Sequence, residues 1–271
     1  MCRWLAYSGA PIAMSDLLTN PEHSMIDQSR HALQNIETTN GDGFGIGWYG
    51  AQKNPGVYHS TQPAWNDVNI RSLAAHINSG LFLSHVRAAT GTSVQSTNCH
   101  PFCFENWLFQ HNGSIPEFAK LKRQLQFDVA PELFPSIAGS SDSETLFFLA
   151  LSFGLREDAP AALARTIGHV ERARQAAGIE LPICFSACAT DGTSIWAVRY
   201  SSHRQSRTLY HSKHPHSLRE LHDSYEPLPE GAVIVVSEPL DFMSEDWAEI
   251  PESSLLCVRD GTTSIGDFMP L

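Results

Sequence analysis

Several stretches of this chain are apolar almost without a break yet too short to be buried helices, and they constrain the fold more than any other feature. Leu81-Phe82-Leu83, Ile183 to Ala189, Val233 to Val236 and Leu255 to Val258 are of this kind. A strand with one wet face alternates, whereas a strand covered on both faces reads as a continuous apolar run. Such strands need a layer above and a layer below. Strand patterning is expected at Phe44 to Tyr49, Gly80 to Val86, Trp107 to Gln110, Ile183 to Ala189, Ser194 to Tyr200, Val233 to Val236 and Leu255 to Val258. Helical periodicity is expected at Ser143 to Leu155 and Ala159 to Ala177, which Gly178 ends, with a further helix over Ser24 to Ile36. Ser201 to Pro229 has no periodicity and reads as a long surface excursion with a short hairpin arm around Leu209. Strands, then helices, then strands predict an α+β architecture in which sheets pack on each other and helices cover the outside. No repeat or linker divides the chain.

Eighteen basic residues against 29 acidic ones leave a formal charge of −11, which disfavours a nucleic-acid surface or an anionic membrane and favours small molecules or proteins as partners. No apolar run approaches a membrane span and no leader pattern opens the sequence, which places the chain in the cytoplasm. The six cysteines are then expected as thiols rather than disulfides. Cys99-x3-Cys103 and Cys184-x3-Cys188, with His100 and His111 nearby, have the look of zinc half-sites. However, Cys184 and Cys188 share one face of a strand, where cysteine acts as a small core residue, and Cys257 reads the same way. No metal and no cofactor are expected.

Four segments carry chemistry. In Met1-Cys2-Arg3-Trp4, removal of the methionine would place a thiol beside a free α-amine. That amine has a reference pKa of about 7.7 to 8.0, so nucleophile and general base would share one residue. The strand Leu81 to Val86 ends in Arg87, whose planar fork matches a carboxylate bidentately. Another strand runs into His111-Asn112-Gly113, where a turn aiming an amide and a backbone N–H at one point would make an oxyanion hole. Ser141-Asp142-Ser143-Glu144 is a capping box that leaves Asp142 free to face a substrate ammonium. Asn40 to Gly47 is a Gly-rich turn entering a strand, without the lysine or spacing of a phosphate cradle.

Taken in order, Met1-Cys2, His85-Val86-Arg87-Ala88-Ala89-Thr90, the pair Asn98-Cys99-His100-Pro101 and His111-Asn112-Gly113, and Asp142-Ser143-Glu144 resemble the class II glutamine amidotransferases. These are N-terminal nucleophile hydrolases. The resemblance covers the whole chain and is greatest to stand-alone members, the YafJ-like proteins and the amidohydrolase of ergothioneine biosynthesis. Further marks of that subgroup are Cys2-Arg3-Trp4-Leu5, His23-Ser24-Met25, Gln28-Ser29 and Ser237-Glu238-Pro239-Leu240.

The resemblance implies a four-layer αββα sandwich and a single domain over residues 1–271, with its core at about 2–258. It implies Cys2 as nucleophile, Asn112 and Gly113 as the oxyanion hole, and Arg87, Thr90 and Asp142 as substrate-binding residues. The expected reaction cleaves the γ-amide of glutamine or a γ-glutamyl compound through a thioester. A non-catalytic glutamine sensor or assembly partner is the alternative. Larger family members often carry Trp and His in the loop after the arginine, where this chain has Ala88 and Gly91, so a more open pocket is expected. No synthase domain follows, so any synthase that accepts the ammonia is a separate chain.

Overall fold

The computed structural model describes residues 2–34, 38–89, 91–213, 228–242 and 244–271. Among these residues, two antiparallel sheets lie face to face. The first has seven strands: β1 (Arg3–Ala13), β2 (Phe44–Trp48), β3 (Gly56–Ser60), β4 (Asn78–Val86), β9 (Tyr210–Ser212), β10 (Val233–Val236) and β11 (Trp247–Glu249), in the order β11-β9-β10-β1-β4-β2-β3. The second has six: β5 (Phe102–Phe104), β6 (Trp107–Ser114), β7 (Cys184–Thr190), β8 (Ser194–Ser201), β12 (Ser254–Arg259) and β13 (Thr262–Asp267), in the order β13-β12-β8-β7-β6-β5. Helices α1 (Ser15–Leu18), α2 (Met25–Arg30) and α3 (Val68–His76) cover the first sheet, and α4 (Phe118–Phe127), α5 (Asp142–Ser152) and α6 (Ala159–Ala176) cover the second.

Three separate apolar clusters follow from this layering, and strand alternation sorts residues between them. Along β1, Trp4 and Ala6 enter the cluster between the sheets, while Leu5 and Tyr7 face the first helical layer. Along β4 and β10, Leu81, Leu83, Val233 and Val235 turn inward, and Phe82, Val86, Ile234 and Val236 turn outward. In the second sheet Leu108, Cys188, Ala197 and Leu256 face the first sheet, and Phe109, Phe185, Ala187 and Val198 face α5 and α6. The apolar runs are thus covered on both sides, in an αββα sandwich. Every residue of α5 from Ser143 to Leu151 is buried, as befits a helix enclosed by neighbours on all sides.

Several local expectations need correction. Asn112-Gly113 is not a turn: β6 continues through both residues, paired with Ser186 and Phe185 of β7. Leu209 is not on a surface arm; it is fully buried between the sheets, where it leads into β9. The rest of that excursion, 214–227, lies outside the described residues. Helix α2 ends at Arg30 rather than Ile36, and residues 35–37 are also outside the described set. Cys257 is half-exposed on the outer face of β12 and belongs to none of the cores. Packing also continues past Val258, since β13 pairs with β12 and Phe268 is buried against Phe185 and Tyr200.

Candidate active site

The start of β1, the end of β4, the end of β6 and the first turn of α5 converge at one end of the sandwich. Strand β1 pairs with β4 in a register that sets Arg3 opposite Val86, so Cys2 falls beside the residues that follow β4. The Ala88 N–H donates to Cys2 Sγ at 3.4 Å, and Sγ lies 3.5 Å from the Ala88 carbonyl. As a thiol the sulfur donates to that carbonyl; as a thiolate it accepts the amide proton. Burial pushes the Cys2 thiol above its ordinary value, against the opposing pull of the Ala88 N–H and of Arg87 and Arg3. Ionisation here therefore needs a nearby base.

The Cys2 carbonyl accepts from Asn112 Nδ2 at 2.7 Å and from Arg3 Nη1 at 3.0 Å. Asn112 reaches it because alternation along β6 turns Leu108, Gln110 and Asn112 toward the first sheet. At Gly113 a Cβ would collide with the Cys184 carbonyl oxygen of β7. Next to it, His111 Nε2 donates to that same carbonyl at 3.2 Å, leaving Nδ1 to face Ser143 Oγ at 2.9 Å. Burial lowers the His111 pKa, in keeping with a neutral ring.

Arg87 is held from behind by a backbone pairing: its N–H donates to the Gly43 carbonyl at 2.8 Å, and the Asp42 N–H to the Arg87 carbonyl at 2.9 Å. Gly43 is required for this turn, with φ of +110° and a notional Cβ 2.7 Å from the Ser60 carbonyl. The guanidinium donates to Thr92 Oγ1 (2.6 Å), the Ser93 carbonyl (3.3 Å) and the Asp42 carbonyl (3.3 Å). Its Nε has no hydrogen-bond partner among the described residues.

Asp142 is the first residue of α5. Its carboxylate accepts from the Ile115 N–H (2.9 Å), the Ser143 N–H (2.8 Å) and Ser143 Oγ (3.2 Å). Ser141 caps the helix as expected, accepting the Glu144 N–H at 3.1 Å. The reciprocal arm departs from a capping box: Glu144 takes the Ala138 and Gly139 N–H groups, because the preceding loop curls over the helix end. Asn98, quoted above only as part of a motif, proves to be a buried tie. Its amide bonds Ser93 and Ser140, joining the loop behind Arg87 to the loop before Asp142.

These side chains surround a cavity of about 530 Å³, whose wall includes Cys2, Arg87, His111, Gly113, Lys122 and Asp142. Ala88 and Gly91 are also in the wall. Asn112 stands behind it, and Thr90 lies outside the described residues. Among the described residues, no group of three or more His, Cys, Asp or Glu side chains is placed to hold a metal, and no helix is long and apolar enough to cross a membrane. The role of Arg3 escaped the sequence reading. Its signal lay in the subgroup marks, which had no chemistry until the fold brought them together.

Comparison with known proteins points to one family. The family model described as "Glutamine amidotransferases class-II" matches residues 27–268. The probable glutamine amidotransferase DUG3 of Saccharomyces cerevisiae is 33% identical over 97% of this chain and 83% of its own length. The gamma-glutamyl-hercynylcysteine sulfoxide hydrolase of Mycolicibacterium smegmatis is 28% identical over 96% of each chain. Among solved structures, a glutamine aminotransferase class-II domain protein from Silicibacter pomeroyi superposes with a TM-score of 0.77 at 34% identity, covering 100% of both chains. The glutamine PRPP amidotransferase of B. subtilis shares the fold, with a TM-score of 0.66 at 17% identity over 98% of this chain and 49% of that one. Sequence, fold and the convergence of Cys2, Arg87 and Asp142 on one cavity lead to the same place: the chain belongs to the class II glutamine amidotransferase family, enzymes of the N-terminal nucleophile hydrolase type.

Proposed function

We propose that this protein is a stand-alone amidohydrolase that cleaves the γ-amide of glutamine or of a γ-glutamyl compound, with Cys2 as nucleophile once Met1 is removed. The observation that carries the reading is the placement of the Cys2 thiol, the Arg87 guanidinium and the Asp142 carboxylate on the wall of one cavity. An amino-acid head group needs a cation for its carboxylate and an anion for its ammonium, set apart from the attacking atom. The volume falls within the range of small-molecule sites. The names of the relatives, hydrolases and amidotransferases, favour catalysis over sensing.

The freed α-amine takes the thiol proton, and the thiolate attacks the amide carbon. The developing oxyanion is held by the Gly113 N–H and by the second hydrogen of the Asn112 amide, whose first is committed to the Cys2 carbonyl. The amine base returns its proton to the departing ammonia or amine, the C–N bond breaks and a thioester remains. Water then attacks the thioester, releasing glutamate and restoring the thiol. The catalytic unit is a single domain over residues 1–271. Six free thiols support a cytoplasmic setting.

The test is an intact mass of the purified protein before and after incubation with a diazo-ketone analogue of glutamine, with the adduct located by peptide mapping. Loss of Met1 and one adduct on Cys2 is the expected result. Turnover of glutamine and γ-glutamyl amides that survives Cys2→Ala would overturn the proposal.

A further inference from the structure

The subgroup marks that carried no chemistry in the sequence meet behind the nucleophile. Glu238, just after β10, is 1% exposed and accepts four donors among the described residues. Its Oε2 takes Arg3 Nε at 2.7 Å and the Gln34 N–H at 3.2 Å, and its Oε1 takes His23 Nε2 at 2.6 Å and the Leu33 N–H at 2.7 Å. His23 Nδ1 bonds Asp27 at 3.0 Å. The surroundings are tied down as well. The Ser237 N–H donates to the Trp4 carbonyl and the Trp4 N–H to Ser237 Oγ. The Gln28 amide donates to the carbonyls of His23, Glu238 and Pro239, and Asn40 in turn donates to the Gln28 carbonyl.

We propose that Arg3 and Glu238 form a positioning pair that fixes the main chain of the nucleophile, with His23 and the Leu33 and Gln34 amides holding Glu238 in register. The inference rests on the reading of Cys2 as the attacking residue. Arg3 bridges two partners at once: Nε faces Glu238 while Nη1 donates to the Cys2 carbonyl, the same oxygen that Asn112 holds. The thiol, the α-amine and the oxyanion donor on Asn112 are thereby referred to one fixed point. Stability alone is a poor account of such a group, since a buried ion pair is often matched or bettered by apolar residues of similar volume. Precision at a reacting atom is a better account, because displacement by about 1 Å can cost about a hundredfold in rate.

Arg3→Lys separates these accounts. It keeps the charge and most of the volume, but a single ammonium lacks the planar fork that spans Glu238 and the Cys2 carbonyl. The expected result is a folded protein whose kcat falls about 10- to 100-fold, with KM within about twofold and with slower labelling of Cys2 by the diazo-ketone analogue. Glu238→Gln, which keeps the shape and removes the charge, should move the same two readouts in the same direction. Wild-type kcat and labelling rate in folded Arg3→Lys would overturn the proposal. So would a loss that appears only as a lowered melting temperature in step with a raised KM, the pattern of a purely structural pair. Cys2→Ala is run alongside: its retained activity would sink the nucleophile assignment itself, whereas an inactive Cys2→Ala beside a fully active Arg3→Lys would sink only the positioning role.

Discussion

At Gly113 the chain has no room for one more carbon, because the space where a Cβ would stand is filled by the Cys184 carbonyl of the neighbouring strand. Gly113→Ala must therefore push β6 from β7, and with it Asn112 from the Cys2 carbonyl. The expected cost is about 3 kcal/mol of stability, read as a lowered urea midpoint, with loss of turnover in whatever remains folded. Arg87 makes a different kind of prediction. Arg87→Lys keeps a cation in the cavity but gives up the bidentate fork, so KM should rise about tenfold or more with little change in kcat. Steady-state kinetics with glutamine or the preferred γ-glutamyl amide checks this. Single residues were the most legible level of the sequence: Cys2, Arg87 and Asp142, spread over half the chain, do reach one cavity. What failed was the local geometry assigned to Asn112 and Gly113. Asn-Gly signals a turn only when nothing else claims it, and here seven residue pairs with β7 claim the strand.

Elements were readable in proportion to how much of their burial is written in their own composition. β10 is wholly apolar, β4, β7 and α5 each carry a largely apolar stretch, and all four were found within a few residues. β1 was missed although it lies near the middle of its sheet, because Arg3, Ser8, Gly9 and Pro11 break its pattern and its identity comes from pairing with β4 and β10. β3 and β13, at sheet edges, and α4, which buries only Leu121 and Leu125, carry little apolar signal. The C-terminal segment shows that a weak signal does not mean a weak contribution. Phe268 is buried in the cluster under α6, so Phe268→Ala should cost about 3 to 5 kcal/mol, measured by urea unfolding, without altering KM.

For the molecule as a whole, the layered α+β plan was legible from the continuous apolar runs, whereas the αββα order of layers came from the resemblance. The pairing of distant segments is not encoded locally. Response to pH is likewise a property of the assembled sandwich. Burial lowers His85 to about 3 and holds His100 and His111 below their ordinary range, with the His85 and His100 rings stacked at 4.1 Å. In the unfolded chain these rings take protons near pH 6.5, so between that value and their folded values the unfolded state binds more protons and stability falls as pH falls. Glu238, lowered to about 2 chiefly by its bonds with His23 and Arg3 against the cost of burial, adds a loss from about pH 4 downward. His23, raised by Glu238 and Asp27 despite burial, works in reverse: its contribution is complete below pH 6.5 and fades as pH rises through its folded value. Thermal melts should therefore show a melting temperature that drops from pH 6.5 toward pH 4.5, and His100→Leu should flatten that slope. The place of β1 between β4 and β10 has one more consequence, in time rather than space. Cys2 and β1 are synthesised well before β10 and Glu238, which leave the ribosome on the order of ten to fifty seconds later at ordinary rates of synthesis. Throughout that interval β1 lacks its β10 neighbour and Arg3 lacks Glu238. A prematurely terminated chain thus carries Cys2 without the contacts that seat it.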